Sequence, residues 1–433
     1  MFFPVVPTTG VPSFEFGIES IALASLLVLV SGIASMLISK KTKFPYTPLL
    51  VIMGIIVGPV LTLILPQTAR MLFYYVRAFG LFLVLFAAGF DLNLGLLREH
   101  KLVITLLDTV GLLGTALVAG WFFSLVFHVP FAVGFLFGAV VSGTDPATLI
   151  PLFGKHRVPK DVETIIITEA IFNGPLAIIL TMVALFLIIP QLPSYVPVEP
   201  VLKGAGLYAA ATLYFLYQIA VSAIIGAVIA YVAYWAIVRL SLYESPYTQI
   251  LGLAVAFAGY VIGELVGASG FLVVTIIGLI LGNHREIFKR DNELVDLAVK
   301  RNVEFSNVLS TFSIIFIFVL LGASLDLSNL RWNVLASSLL VALFVIFVAR
   351  PVASLVILPF TGFRRYLFIS LEGPKGAVAA SMAILPVLLG RAYGVPELVE
   401  WGNLILSAGL MTVLLSMLLE SAWVSFLRNR LLG

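Results

Sequence analysis

The chain reads as an all-α polytopic membrane protein of about thirteen transmembrane helices, two inverted six-helix repeats with crossed discontinuous helices in the fifth and twelfth spans. Three observations carry that reading. Hydrophobic residues fill 61% of 433 positions and charged residues 11%, with a mean hydropathy of +1.14, whereas a soluble domain is roughly 45–50% apolar and about 25% charged. Two apolar stretches are interrupted midway by charge with Gly and Pro: Val141-Ser142-Gly143-Thr144-Asp145-Pro146 and Leu371-Glu372-Gly373-Pro374-Lys375-Gly376. Lipid tolerates unpaired backbone and charge only where protein or a water-filled cavity surrounds them. A matched pair of such breaks in the two halves of a chain points to the binding site of a secondary transporter. The third observation is the distribution of Lys and Arg between the loops.

At about 20 apolar residues per span, the stretches fall at 19–39, 46–66, 72–90, 102–127, 131–153, 163–189, 206–238, 247–265, 269–282, 304–324, 333–358, 365–390 and 401–427. The seventh is long enough to be tilted or kinked. One set of alternate loops, from Lys40, Lys41 and Lys43 to Arg428 and Arg430, carries eighteen Lys and Arg. The other carries five, Arg70, Arg77, Lys203, Arg331 and Arg391, and Arg350 and Lys375 lie inside spans. The positive-inside rule then puts the N-terminus outside the cell membrane and the C-terminus in the cytoplasm. The split is clean only for an odd number of spans. An order of six, one linker helix and six makes the second unit the inverse of the first, so the fifth span maps onto the twelfth. The breaks then cross near the bilayer midplane, where Asp145 and Lys375 can neutralise opposite helix-dipole ends. The Pro/Ser segment 189–200 reads as an outer loop, and 283–301 as a charged cytoplasmic connection with room for a short surface helix.

The first 18 residues lack the basic start of a signal peptide, and no polar stretch is long enough for a soluble domain. The chain therefore reads as one membrane domain over 1–433. Cysteine is absent, which excludes disulfide and thiolate chemistry; it also fits a hot habitat. The four histidines, His100, His128, His156 and His284, are scattered over loops and span ends without metal-ligand spacing. No cofactor, no resident metal and no nucleic-acid partner is expected, and no enzyme, because no Asp dyad, Ser/His pair or metal cluster is on offer.

The ionisable residues deep in the expected spans are Asp145, Glu169, Arg350, Lys375 and Glu372, with Thr144 and Asn173 as polar companions. A buried Glu169–Arg350 pair is commonly a fold-locking bridge. Asp145, flanked by Gly143 and Pro146, sits in unwound backbone, and Thr144 adds a hydroxyl and a carbonyl suited to a small hard cation. Dipole capping is the structural alternative for Asp145, and the two roles can coexist. Asn173 follows Glu169 at i+4 and shares its face. Asp91 closes the third span at the cytoplasmic border, as part of a cation-attracting funnel or as a solvated interfacial acid. Glu264, near the outer end of the eighth span, reads as structural.

Taken in order, these residues resemble the monovalent cation/proton antiporters of the NhaP type, prokaryotic relatives of the eukaryotic sodium/proton exchangers. The matching elements are Thr144-Asp145-Pro146, Glu169-Ala170-Ile171-Phe172-Asn173, Gly263-Glu264 with Ser269-Gly270, Arg350-Pro351, and Gly373-Pro374-Lys375-Gly376-Ala377-Val378, spread over essentially the whole chain. The resemblance implies exchange of Na+, with Li+ or K+ as further candidates, for H+ across the cell membrane by alternating access. It implies a homodimer in the lipid bilayer, with spans 1–3 and 7–10 as the dimer and scaffold part and spans 4–6 and 11–13 as the moving core. It also implies a Glu169–Arg350 bridge supported by Asn173, and an ion site containing Thr144 and Asp145.

One departure stands out. In that family an ion-binding aspartate follows the asparagine of the sixth span, and here the position is Gly174, followed by Pro175. Competitive exchange needs a buried carboxylate that a cation and a proton can occupy in turn. Three readings follow: a site rebuilt around Asp145, an inactivated variant, or a changed substrate. Outside the antiporters, a non-transporting membrane sensor or an organic-anion carrier remains open, while a channel lacks any carbonyl-lined filter.

Overall fold

The computed structural model describes residues 18–42, 44–189, 204, 206–244, 246–290, 292–325 and 332–433. The segment 190–200 and the loop charges Lys43, Lys203 and Arg331 lie outside the described residues. The described chain is a bundle of helices: α1 Ile18–Thr42, α2 Tyr46–Val60, α3 Pro66–Asp91, α4 Leu94–Phe127, α5 Phe131–Ser142, α6 Pro146–His156, α7 Lys160–Ile188 and α8 Leu207–Arg239. There follow α9 Tyr247–Leu265, α10 Gly270–Gly282, α11 His284–Phe288, α12 Glu293–Ala323, α13 Trp332–Thr361, α14 Phe363–Leu371, α15 Ala377–Ala392 and α16 Pro396–Leu431. Among the described residues, ten helical segments are long and apolar enough to cross a membrane, and α2, α10 and α15 are shorter apolar helices between them. The helices fall on the stretches read from the sequence, most of them a few residues longer, because helices continue past the hydrocarbon boundary until a cap or a proline ends them.

Local chemistry sets those ends. Asn93, Ser269 and Asn292 accept hydrogen bonds from backbone N–H groups in the first turns of α4, α10 and α12, satisfying donors that the helix itself leaves open. Pro66, Pro146 and Pro396 open α3, α6 and α16, where a missing N–H costs nothing. Inside α4 and α13 the backbone makes one π turn each, at Leu107–Gly111 and Val345–Ala349. Such bulges insert a residue and swing the following side chains around the helix axis. They fall in the fourth and eleventh stretches, which correspond to each other in the expected inverted repeat.

With lipid on all sides, helices are drawn together by close contact rather than by water exclusion. Glycines mark the tightest approaches. A Cβ on Gly89 of α3 would strike Thr275 O, and one on Gly278 of α10 would strike Phe86 O. Gly54 of α2 and Gly322 of α12 stand in the same relation through Val319 O and Val51 O. In the other half of the bundle, Gly134 and Gly138 of α5 lie against Gly120 and Ala116 of α4. The outer surface carries exposed apolar side chains that include Leu26, Ile33, Trp121, Ile224 and Val232. The broken segment Phe131–Ile150 is enclosed over 89% of its apolar window, against 28% for α1 and for α9, so the break sits at the centre of the protein.

Two sequence expectations change. Arg77, counted with the outer loop charges, is buried inside α3 with its guanidinium 5.6 Å from the ring centre of Tyr74. Position 77 already falls within the expected span 72–90, and in α3 it lies on the face turned into the bundle. The connection 283–301 does hold a short helix, α11, but it is tied down: His284 is buried and its Nε2 lies 2.8 Å from Asp296 Oδ1. Arg285 engages the same carboxylate.

Gly138→Val is expected to cost about 1–3 kcal/mol by overpacking against the α4 backbone, read as a lower melting temperature of the purified protein in detergent. The same change at exposed Gly154, where an added Cβ meets nothing within 4 Å, is expected to be tolerated.

Candidate functional site

The two breaks meet. The backbone N–H of Asp145 donates to Pro374 O at 2.8 Å, linking the unwound segment between α5 and α6 to that between α14 and α15. Four helix ends therefore converge in the protein interior, two with free N–H groups and two with free carbonyls. Asp145 serves the positive ends. Its Oδ2 accepts from Thr148 N at 3.0 Å and Thr148 Oγ1 at 2.7 Å, capping α6, and its carboxylate packs against Gly376 at the start of α15, within electrostatic reach of the Ala377 N–H. A Cβ on Gly376 would run into that carboxylate, so glycine is needed there for the close approach.

The cations serve the negative ends. Lys375 Nζ donates to the carbonyl oxygen of Ser142, the last residue of α5, at 3.2 Å. Arg350 Nη2 donates to Ile369 O at 3.3 Å and to Glu372 O at 3.2 Å, closing the end of α14. The unwound backbone between α14 and α15 is held by α16: Gly373 N donates to Glu420 Oε2 and Lys375 N to Ser416 Oγ, both at 2.9 Å. The sequence expectation of opposite dipole ends neutralised by Asp145 and Lys375 thus describes the two ends of one broken helix, α5 and α6.

Beside the crossing lies a bidentate ion pair. Arg350 Nη1 meets Glu169 Oε1 at 2.8 Å and Nη2 meets Oε2 at 3.0 Å, with both side chains buried. Asn173 joins the pair to the break. Its Nδ2 donates to Glu169 Oε1 at 3.3 Å and to Thr144 Oγ1 at 2.9 Å, while its Oδ1 accepts from Thr144 N at 2.9 Å. Thr144, Asn173, Glu169 and Arg350 form one continuous network across α5/α6, α7 and α13. Gly174 follows on α7. A Cβ there would rest at ordinary contact distance from Val378 and Leu85, 3.4 and 3.5 Å away, so the position faces apolar side chains and accepts a Cβ. Asp91, at the end of α3, is exposed and stands outside this buried network. Glu264 accepts from Gly270 N at 3.1 Å, closing the turn before α10.

Three further acids surround the crossing, and two of them carry no signal strong enough to be singled out from sequence. Glu372 and Glu420, both fully buried, lie within electrostatic reach of each other and of Arg350. Asp108, in the π turn of α4, is 7% exposed and within electrostatic reach of Glu169 and Arg350. Glu420 belongs to the core because α16 is long and its inward face carries Ser416 and Glu420 at i, i+4. That spacing is the available signal for Glu420, whereas an acid in an unbroken apolar stretch is the signal for Asp108. Among the described residues no three His, Cys, Asp or Glu side chains come together as a resident metal site.

Relatives with the same helices are known. The family model for the transmembrane sodium/hydrogen exchanger matches residues 25–429. The Na(+)/H(+) antiporter 1 of Methanocaldococcus jannaschii is 34% identical over 430 residues, covering 94% of this chain and 95% of that protein. The probable Na(+)/H(+) antiporter 2 of the same organism is 34% identical over 436 residues, covering 95% and 97%. The solved structure of the sodium proton antiporter MjNhaP1 from M. jannaschii at pH 8 aligns with a TM-score of 0.81 at 30% identity, covering 96% of this chain and 99% of that one.

Removing one partner of a buried ion pair strands the other, which costs about 3–5 kcal/mol. Glu169→Ala is therefore expected to lower the melting temperature in detergent sharply, and the double variant Glu169→Leu with Arg350→Leu is expected to melt above the single one.

Proposed function

The chain belongs to the transmembrane sodium/hydrogen exchanger family, and we propose that it exchanges a monovalent cation, Na+ first, for H+ across the cell membrane by alternating access. The observation that carries this reading is the charge content of the crossing. Asp108, Asp145, Glu169, Glu372 and Glu420 are buried, and among the described residues Arg350 and Lys375 are the basic side chains that join them at the crossing. Buried carboxylates without counter-charge are costly, so such a centre is stable only while protons or cations occupy it. Exchange of one for the other is what this composition provides.

In this reading Thr144, Asp145 and Asn173 line the cation's path, with main-chain carbonyls of the two unwound segments as further oxygen ligands of the kind hard cations prefer. Glu169 and Arg350 hold α7 against α13 while the site is carried across. The helices α4 to α7 and α13 to α16 form the moving core, and α1 to α3 with α8 to α12 form the scaffold and the dimer contact, with the N-terminus outside and the C-terminus in the cytoplasm. The glycine contacts of α3 with α10 and of α2 with α12 support a stiff scaffold, and the Lys and Arg distribution supports the orientation. One carboxylate turning over per cycle makes the exchange electroneutral. A transport-inactive or altered-substrate member of the same fold rests on Gly174 alone.

The test is ΔpH-driven exchange in proteoliposomes with Na+, Li+ and K+. Exchange by the wild-type chain is expected, and its loss in Asp145→Asn. Silence of the wild type with activity in Gly174→Asp would instead mark an exchanger switched off at that position.

A further inference from the structure

An acid that hands a site back and forth between a cation and a proton needs lone pairs that the fold does not already use, and a way in for the ion. Most acids of the crossing fail one condition or the other. Both oxygens of Glu169 are held by Arg350, and one also by Asn173. Asp145 is committed through Oδ2 to two bonds from Thr148 at the start of α6 and is packed against Gly376 at the start of α15. Glu420 closes the α14–α15 break through Gly373 N. Glu372 is the nearer rival, since neither of its oxygens has a partner at hydrogen-bond distance. It is 0% exposed, however, and shut in beside Glu420 and Trp423.

Asp108 meets the first condition and, unlike Glu372, is not wholly enclosed. Its Oδ1 is buried and has no hydrogen-bond partner, an arrangement that folded proteins rarely leave without a reason, while the residue as a whole keeps 7% exposure. The π turn Leu107–Gly111 creates the arrangement. The inward face of α4 runs through Ile104, Leu107, Gly111, Leu112 and Thr115. The inserted residue brings Asp108 onto that face beside Leu107, while Thr109 and Val110 stay exposed. The turn packs on α7 and on the 350–357 part of α13. The charged groups that face Asp108 from these elements are Glu169 of α7 and Arg350 of α13. An ionisable side chain inside a membrane span marks function by default, and π turns gather at functional sites.

We propose that Asp108 is the carboxylate on which the transported cation and the proton displace one another in this chain, in the role that position 174 leaves vacant. The step is a simple substitution: a carboxylate-bound monovalent cation leaves as a proton binds the same oxygen, and the charge of the centre is unchanged. The proposal rests on the exchange reading above, and deepens it by naming the group that is exchanged upon.

Cation-driven proton release from the purified full-length protein tests it apart from transport. In weakly buffered detergent solution, NaCl or LiCl is expected to release protons from the wild type, with choline chloride as the control, and to release none from Asp108→Asn. Glu264→Gln, outside the crossing, is expected to keep the release. Asp108→Asn is also expected to melt no lower than the wild type, because it removes an unpaired buried acid, and Asp108→Glu is expected to restore release with a displaced pH profile. In proteoliposomes, exchange by Asp108→Asn is expected to fall to the level of protein-free vesicles. Release or exchange persisting in Asp108→Asn overturns the assignment, as does a wild type that releases no protons. Were the wild type to release protons but transport nothing, the exchange reading would fail and the assignment of Asp108 would still be decided by the variant's release.

Discussion

Everything at the centre of this protein follows from bringing four helix ends together away from water. Each end exposes backbone groups that the helix cannot satisfy and carries a partial charge. The structure answers with one anion for the two positive ends and two cations for the two negative ends. Asp145 caps α6 and lies against the start of α15, Lys375 ends on α5 and Arg350 on α14. Once those charges are committed to the backbone, the position of α7 follows, because Glu169 must meet Arg350 and Asn173 must meet Thr144. The unwound segments are thereby held in place without a helix running through them.

The breaks are legible in the sequence because Gly, Pro and charge have no ordinary reason to sit together in an apolar stretch. The order of helices is legible for a related reason, since span length is set by bilayer thickness. The residues that escape notice lack such punctuation. Asp108 lies in an unbroken apolar run, and the π turn that aims it inward depends on how α4 packs against α7 and α13, which no local pattern encodes. Glu420 sits near the charged end of a helix that is longer than a span, where an acid reads as interfacial. Arg77 reads as a loop residue because arginine near a span boundary ordinarily is one; here Tyr74 receives it within the helix. Glu169 and Arg350, 181 positions apart, can be matched as opposite charges that lipid would otherwise strand. Their bidentate geometry, and the place of Asn173 beside them, come only with the fold.

Two kinds of contact hold the bundle together. Between α2 and α12 and between α3 and α10, backbone rests on backbone through glycines, which leaves few alternative arrangements. Around the crossing, α7 is joined to the α5–α6 break and to α13 by hydrogen bonds and an ion pair, contacts that depend on side-chain geometry and not on backbone fit. Pro175, directly after Gly174, removes one backbone hydrogen bond from the middle of α7 and places a weak point next to the network instead of at its edge.

The compensation of the helix ends also has an evolutionary side. Lys375 and Arg350 terminate on main-chain oxygens, those of Ser142, Ile369 and Glu372, and not on the side chains at those positions. Every amino acid supplies a carbonyl. Substitution at residues 142, 369 or 372 therefore leaves the acceptors of the helix-end compensation in place, and that compensation depends on the charged side chains that reach them. The walls of the crossing can thus vary while its architecture stays intact.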